Sequence, residues 1–471
     1  MSVTSRQLSD KSPFKALEYK VLGFYLADML WLVLLIVYAA VGMMLAPFHV
    51  DEAMHLYTSR DYATAFINHQ PEQLPVNPPY EIDSDSRLRL LNGSVMRYSM
   101  GLSWQLAGLT VDDLPPRPGW DWGMFYQQNV ETGHRPREAL LQAGRTVAVI
   151  YLAVSIVALF GIGREFGGRA TAYLASLLYT INPIILLNGR RALVESALLA
   201  FGLLTIWVAL QIVKRQKPHA LALSPHAEMG NSNVWLWWLA LAVCGALTLA
   251  SKYSGTIFVA GAFGGIFVTA LLKAVSRRMF RPMLSVTGKL IISGVFALAL
   301  LVVLSPALWS DPISRARDLA AMLQEQVDIV VSILPDAPTT MQQRIEGIVT
   351  QSFIAPVAYF EQASWAEAAP ITQEIAHYEA SPLSGLRPNL AIGGVLTLLA
   401  GWGLVALFWR QRNSTSAVSV VVLIWLLVTV LNLLINPLPW QRYYLVLIPI
   451  MTLLAAVGTS TLYRIFRPQS P

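Results

Sequence analysis

Carboxylates and imidazoles crowd together near residue 50. The stretch PFHVDEAMHLYTSRDY places two adjacent carboxylates, Asp51 and Glu52, within a few residues of His49 and His55. Asp51 and His55 are four residues apart and therefore share one face of a helix. A carboxylate can accept a proton from a hydroxyl nucleophile, although acidic residues also stabilise the first turn of a helix. We expect Asp51 and Glu52 to be catalytic and His55 to support them, with a divalent metal at these three residues as an open alternative.

Basic residues mark the ends of later apolar runs. Arg191 lies in GRRALVESALLAF, Lys252 in LTLASKYSG and Arg442 in LPWQRYYLVLIP. Each has an ordinary explanation: Arg191 can pair with Glu195 four residues later, and the other two can extend toward lipid phosphates. Cations are rare in short loops on the outer side of a membrane. Together with a carboxylate pair they indicate a binding site for an anionic lipid headgroup.

The composition of the chain excludes several classes of protein. Of its 471 residues, 55% are hydrophobic and 13% are charged, whereas soluble domains carry about 25% charged residues. A single cysteine, Cys244, excludes an intramolecular disulfide framework and a cysteine-based metal centre. The net charge of +6 would favour nucleic-acid binding in a soluble protein, but in a membrane protein the distribution of charge matters more. We therefore expect no nucleic-acid partner and no certain cofactor.

The elements that must position these residues are membrane helices. Runs of about 18 or more apolar residues are long enough to cross the hydrocarbon layer, and backbone polar groups in lipid must be bonded internally. The chain is therefore predicted to be an all-α polytopic membrane protein with about ten transmembrane helices. The predicted spans are 29–46, 146–162, 170–188, 193–213, 234–250, 255–272, 290–307, 390–409, 417–435 and 443–461.

The distribution of basic residues predicts the orientation. With residues 1–28 and 462–471 in the cytoplasm, eighteen Lys and Arg residues near the spans lie inside, against four in the short outer loops. The first span is followed by a polar loop and is expected to be a retained anchor. Two long extracytoplasmic loops are predicted. Loop 47–145 lies between the first span and the spans of 146–307, and loop 308–388 lies between those spans and the spans of 389–461. Each loop contains an amphipathic segment expected to lie in the membrane interface, VMRYSMGLSWQLAG and ISRARDLAAMLQEQVDIVVSI.

The order of these motifs resembles the glycosyltransferase C superfamily. The motifs are the DE pair opening the first outer loop, a later Pro-Pro in that loop, RALVESALLAF, SKYSG and QRYYLVLIP. The resemblance is nearest to protein O-mannosyltransferases and lipid A aminoarabinose transferases, which use polyprenyl-phosphate sugars. It implies that Asp51 is the catalytic acidic residue and Glu52 its neighbour. It further implies functional positions in the later spans, namely Arg191, Glu195, Lys252, Arg442 and Tyr443.

The resemblance and the residues lead to one expected function. A glycosyltransferase in the plasma membrane of a prokaryote would transfer a sugar from a polyprenyl-phosphate donor to a hydroxyl acceptor on the extracytoplasmic face. Asp51 would be the general base, and Arg191, Lys252, Arg442 and Tyr443 would bind the donor phosphate. With one base and one departing phosphate, the simplest course is inversion at the sugar carbon. The alternative is a transporter or flippase for an anionic lipid or solute, although transporters usually bind near the bilayer midplane.

Overall fold

The protein is almost entirely helical in a computed structural model. The structure describes residues 20–21, 24–82, 84–215, 233–333, 340–361, 367–413, 416–438 and 440–466. A two-residue hairpin, β1 (Lys20–Val21) with β2 (Phe24–Tyr25), precedes the helices. The helices are α1 (Leu26–Val41), α2 (Val50–Thr58), α3 (Arg60–Tyr62), α4 (Asp85–Leu91), α5 (Ser94–Leu106), α6 (Tyr126–Glu131), α7 (Glu138–Gly167), α8 (Arg169–Thr180), α9 (Pro183–Arg190), α10 (Glu195–Arg215), α11 (Asn233–Ser251), α12 (Thr256–Arg277), α13 (Arg281–Leu304), α14 (Pro312–Ile333), α15 (Met341–Thr350), α16 (Ala369–Ala380), α17 (Leu390–Asn413), α18 (Ala417–Ile435) and α19 (Ile448–Phe466).

The predicted polytopic helical fold is confirmed. Eight helices of the described chain are long and apolar enough to cross a membrane, and a bent pair, α8 with α9, brings the number to nine. The fifth predicted span, 234–250, is the one not among these nine; it corresponds to α11, whose apolar part is shorter. The predicted sidedness remains a prediction. Several of the basic residues on which it depends lie outside the described residues, namely Arg6, Lys11, Lys15, Lys217 and Arg467.

The third span is broken where the sequence indicated one continuous run. α8 and α9 meet at an angle of 64°. Asn182 caps α9 by accepting hydrogen bonds from the amides of Ile184 and Ile185, and Pro183 occupies the first turn. A proline cannot donate to the preceding turn, so it ends one helix while it suits the start of another. Beyond the break, Arg190 at the end of α9 donates hydrogen bonds to Tyr378 and to the carbonyl oxygen of Leu383.

Small residues allow the membrane helices to approach closely. A Cβ atom on Gly403 of α17 would lie 2.0 Å from the carbonyl oxygen of Leu454 in α19, and one on Gly458 would lie 2.0 Å from that of Leu399. Gly265 of α12 packs in the same way against α18. Without a hydrophobic driving force in lipid, such close contacts hold helices together. Around them the apolar side chains of α7, α8, α10, α12, α18 and α19 form one large core.

The two long segments between the membrane helices, 47–145 and 308–388, contain further helices that pack on this bundle. Both predicted amphipathic segments are helical, as α5 and α14. Helices α2 and α5 share a second apolar core with α7, in which Leu56, Met100 and Trp104 are buried. The loop after residue 115 closes over α2, because Gly119 contacts its backbone: a Cβ there would lie 2.6 Å from the Cα of Met54. The segment 47–145 therefore holds α2 firmly against the membrane helices.

Candidate active site

The start of α2 is fixed by hydrogen bonds of its own residues. His49 precedes the helix, and its Nδ1 accepts a hydrogen bond of 3.1 Å from the amide of Asp51. The amide of His49 in turn donates to Oε2 of Glu52 at 2.9 Å. This reciprocal arrangement is a capping box, which satisfies amides that the first helical turn leaves without partners. It fixes the backbone position from which the Asp51 side chain extends.

Glu52 is fully buried and accepts four hydrogen bonds. Arg145 of α7 donates from two nitrogens at 2.8 Å each, and the amide of Ala192 donates at 2.8 Å, in addition to the amide of His49. Burial alone would raise the pKa of the Glu52 carboxyl, but Arg145 and the hydrogen bonds lower it below its ordinary value. The carboxylate is therefore ionised and fully occupied. It joins α2, α7 and the segment between α9 and α10.

Asp51 points away from this network toward the turn before α19. Its Oδ2 accepts a hydrogen bond of 2.6 Å from Nη1 of Arg442, which lies in the 3₁₀ segment Gln441–Val446 before α19. The side chain of Asp51 is 21% exposed and that of Arg442 is 20% exposed. Nε of Arg442 lies 2.8 Å from Oε1 of Glu361, which also contacts Nε2 of His49 at 3.2 Å. The guanidinium thus lies between two carboxylates.

The ionisation of these groups follows from their mutual contacts. Burial would raise the pKa of Asp51, but the charge of Arg442 outweighs it, with help from His49 and His55, and holds that pKa well below its ordinary value. Burial likewise opposes ionisation of Glu361, and Arg442 and His49 lower its pKa. For Arg442 the carboxylates outweigh burial and raise its pKa well above the ordinary value. Two carboxylates and one guanidinium are therefore all charged at neutral pH.

A second ion pair lies beside the first. Nζ of Lys252, between α11 and α12, donates to Oε1 of Glu195 at the start of α10 over 2.7 Å. The same Nζ lies 5.4 Å from the centre of the Tyr443 ring, a cation–π distance. His55 lies between the two pairs and interacts electrostatically with Asp51, Glu195, Arg442 and Lys252. Burial lowers the pKa of His55 more than the two carboxylates raise it, so its ring is neutral at neutral pH.

Arg191 is placed behind this cluster rather than beside Glu195. Its Nε and Nη1 donate to the carbonyl oxygens of Pro47 and Tyr359 at 2.9 Å each. The side chain is buried, and its pKa is lowered by burial to about 10, which keeps it protonated at neutral pH. The local ion pair with Glu195 that the sequence also allowed does not form, because Glu195 pairs with Lys252. Arg191 holds together the chain segments on which the other residues lie.

The described residues close enough to share a metal ion are not the predicted three. Potential ligand atoms of His49, Asp51 and Glu361 lie within 4.8 Å of one another, whereas the predicted set contained Glu52 and His55. The three do not fit a divalent ion as they stand. Both ring nitrogens of His49 are already hydrogen-bonded, and a guanidinium bridges the two carboxylates. A metal would have to displace that guanidinium.

Two residues of the site escaped the sequence analysis. Glu361 is a single carboxylate in a long loop, far from Asp51 in sequence, and no local pattern distinguishes it from other acidic residues of that loop. Arg145 did leave a signal. It directly precedes the predicted span 146–162, and the structure extends that helix back to Glu138, which makes Arg145 a buried charge within it. A charge within a membrane helix needs a partner and commonly marks function.

Comparisons with known proteins agree with this fold. The model of the dolichyl-phosphate-mannose-protein mannosyltransferase family matches residues 138–230. A search of curated protein sequences finds no match. Among solved structures, the apo oligosaccharyltransferase of Archaeoglobus fulgidus aligns with a TM-score of 0.50 and 12% identity over 93% of this chain and 51% of its own. The chain thus has the fold of the glycosyltransferase C superfamily, as the resemblance implied.

Further similar structures belong to two other enzymes. ArnT from Cupriavidus metallidurans, bound to undecaprenyl phosphate, aligns with a TM-score of 0.47 and 14% identity over 92% of this chain and 60% of its own. The Pmt1–Pmt2 protein O-mannosyltransferase of S. cerevisiae, bound to its sugar donor, aligns with a TM-score of 0.40 and 14% identity over 62% and 34% of the two chains. The chain spans about half the length of the oligosaccharyltransferase and 60% of ArnT.

Proposed function

We propose that the protein is an integral-membrane glycosyltransferase that moves a sugar from a polyprenyl phosphate to a hydroxyl acceptor on the extracytoplasmic face. The observation that carries this proposal is the convergence of Asp51, Arg442, Lys252 and Glu195 on one cluster. These residues are far apart in sequence and belong to different elements, yet adjacent pairs lie within 2.7 Å. The family match and the shared fold support a lipid-phosphate sugar as donor.

Asp51 serves as the general base. The acceptor oxygen bonds to the anomeric carbon, its proton passes to the Asp51 carboxylate, and the bond from that carbon to the phosphate oxygen breaks, leaving its electron pair on the phosphate. A carboxylate paired with a guanidinium is a weak base. The negative charge of the bound phosphate counteracts Arg442 and raises the proton affinity of Asp51. The base is therefore most effective when the donor is in place, and attack opposite the departing phosphate inverts the anomeric carbon.

Arg442 and Lys252 bind the departing phosphate. Arg442 contacts two carboxylates and Lys252 contacts one. Both keep further N–H groups free of described partners, since a guanidinium carries five donors and an ammonium three. Both side chains are partly exposed. Fixed cations aimed at the oxygen on which charge develops stabilise the transition state. Tyr443 flanks Lys252, and the stacked ring of Trp440, 5.5 Å away, supports Tyr443.

Glu52 and Arg191 act as positioning residues. Glu52 fixes the first turn of α2, on which Asp51 lies, and Arg191 ties the same segment to residues near Glu361. Because Glu52 already accepts four hydrogen bonds, it has no room to accept a substrate proton. Orienting Asp51 is therefore the role that we propose for Glu52.

A transfer assay with Asp51→Asn tests the proposal. Purified protein is incubated with dolichyl-phosphate mannose and membrane acceptors, and release of dolichyl phosphate is measured. The wild type should release it, and Asp51→Asn should lower the rate by about 10²-fold or more, because the base is lost, while donor binding stays within a few-fold. Asp112→Asn, an exposed carboxylate of the same loop, is the control. Unchanged turnover in Asp51→Asn would remove Asp51 as the base.

A further inference from the structure

Only half of the Glu195 carboxylate has a partner. Oε1 accepts the hydrogen bond from Lys252, whereas Oε2 is closed to solvent and has no hydrogen-bond partner among the described residues. The residue as a whole is 2% exposed. Buried carboxylate oxygens are nearly always hydrogen-bonded, because an unpaired one has lost its water without compensation. A donor for this oxygen is therefore expected from a ligand.

This oxygen lies near the residues that we propose to bind the donor phosphate. Arg442 and His55 both interact electrostatically with Glu195. The ring of His55 is also buried and has no hydrogen-bond partner in the described part of the chain. The unpartnered Glu195 oxygen and the His55 ring thus lie near the two cations assigned to the donor phosphate. Because the sugar is joined to that phosphate through a single oxygen, its ring must lie next to the same cations.

The charge of the site indicates a neutral donor. Lys252 already neutralises Glu195 through a 2.7 Å ion pair, so the free oxygen needs a hydrogen rather than a further positive charge. Sugar hydroxyls supply such hydrogens, and a neutral imidazole can accept or donate to a neighbouring hydroxyl. Lys252 is one-quarter exposed. A bound phosphate would attract the ammonium group of Lys252 and weaken its contact with Glu195. The sugar ring could then approach the Glu195 carboxylate.

We propose that Glu195 binds a hydroxyl group of the donor sugar through Oε2, with His55 as a second contact to the sugar. This inference rests on the proposed function, because it assigns to the same site the part that distinguishes a sugar-bearing lipid from a bare lipid phosphate. Glu195 is then a specificity-determining residue in addition to the partner of Lys252.

Binding of two lipids to two variants tests this assignment. Affinities for dolichyl-phosphate mannose and for dolichyl phosphate are measured on the detergent-solubilised full chain. The wild type should bind the mannosyl lipid more tightly. Glu195→Gln, which replaces the accepting oxygen by an amide, should lose about tenfold or more for the mannosyl lipid and less than about twofold for dolichyl phosphate. Lys252→Gln should weaken both lipids equally, because it removes a phosphate contact.

Controls separate the possible failures. Glu165→Gln is the matched variant, since Glu165 pairs with Lys214 and Gln211 away from the site, and it should leave both affinities unchanged. Equal losses for both lipids in Glu195→Gln, or no loss, would overturn the sugar contact, as would a wild type that binds the two lipids equally. Failure of the wild type to bind either lipid would instead contradict the proposed function. His55→Gln repeats the comparison if Glu195→Gln does not fold.

Discussion

At the scale of single residues, the site depends on which groups remain charged. Arg442 lies between Asp51 and Glu361 and keeps both carboxylates ionised. His55 is the exception in the cluster, because burial removes its charge at neutral pH. A neutral ring beside Asp51 contributes no positive charge, which leaves Arg442 and Lys252 as the cations that we propose to bind the phosphate. The protonation of His55 is therefore a direct probe of this arrangement.

The buried ring of His55 predicts how stability changes with pH. Its pKa is lower in the folded protein than the ordinary value of 6.5, so the unfolded chain binds the proton more readily. The stability that a neutral His55 contributes is complete above pH 6.5 and is lost as the pH falls from there toward the folded pKa, by at most about 1.4 kcal/mol per pH unit. Thermal unfolding between about pH 5 and pH 7.5 should show this slope.

His55→Gln should flatten that slope, because glutamine does not titrate. His377→Gln, which changes an exposed histidine of α16, should leave the slope as in the wild type. The same pH dependence in wild type and His55→Gln would contradict a buried, neutral His55.

At the scale of elements, the first turn of α2 is held by a buried ion pair. Glu52 receives Arg145 from α7 and the amide of Ala192 from the segment after α9. Arg145 and Ala192 make no hydrogen bond to Asp51 or Arg442 among the described residues, yet they fix the position of α2. Such a pair matters less for net stability than for geometry, because both charges lose their water.

Replacing Glu52, one partner of this buried ion pair, should cause a large loss of stability. Glu52→Gln leaves the buried guanidinium of Arg145 uncompensated and places an amide nitrogen among four donors. We expect the free energy of unfolding in micelles to fall by about 3 to 5 kcal/mol, with transfer activity lost because α2 shifts. Glu165→Gln changes a partly exposed carboxylate on α7, the helix of Arg145, and should cost about 1 kcal/mol or less. Similar stabilities for the two variants would contradict the role of Glu52.

At the scale of the whole molecule, the membrane helices followed from the sequence more fully than the site did. Apolar runs predicted the spans because lipid demands length and hydrophobicity, and 417–435 coincides with α18. The break before Pro183 could have been predicted only by recognising that Asn182 caps a new helix. The partners of Asp51 and Glu195 are set by packing between distant elements. Local spacing therefore suggested Glu195 for Arg191, whereas the fold supplies Lys252.

The position of a bound lipid phosphate tests most directly whether Arg442 and Lys252 form the donor site. A cryo-electron microscopy structure of the full chain with dolichyl phosphate would locate the phosphorus atom relative to the cluster. We predict that phosphate oxygens lie within hydrogen-bond distance of both Arg442 and Lys252. A phosphate held elsewhere, with the ion pairs of Arg442 and Lys252 unchanged and neither cation contacting it, would contradict the assignment of this site.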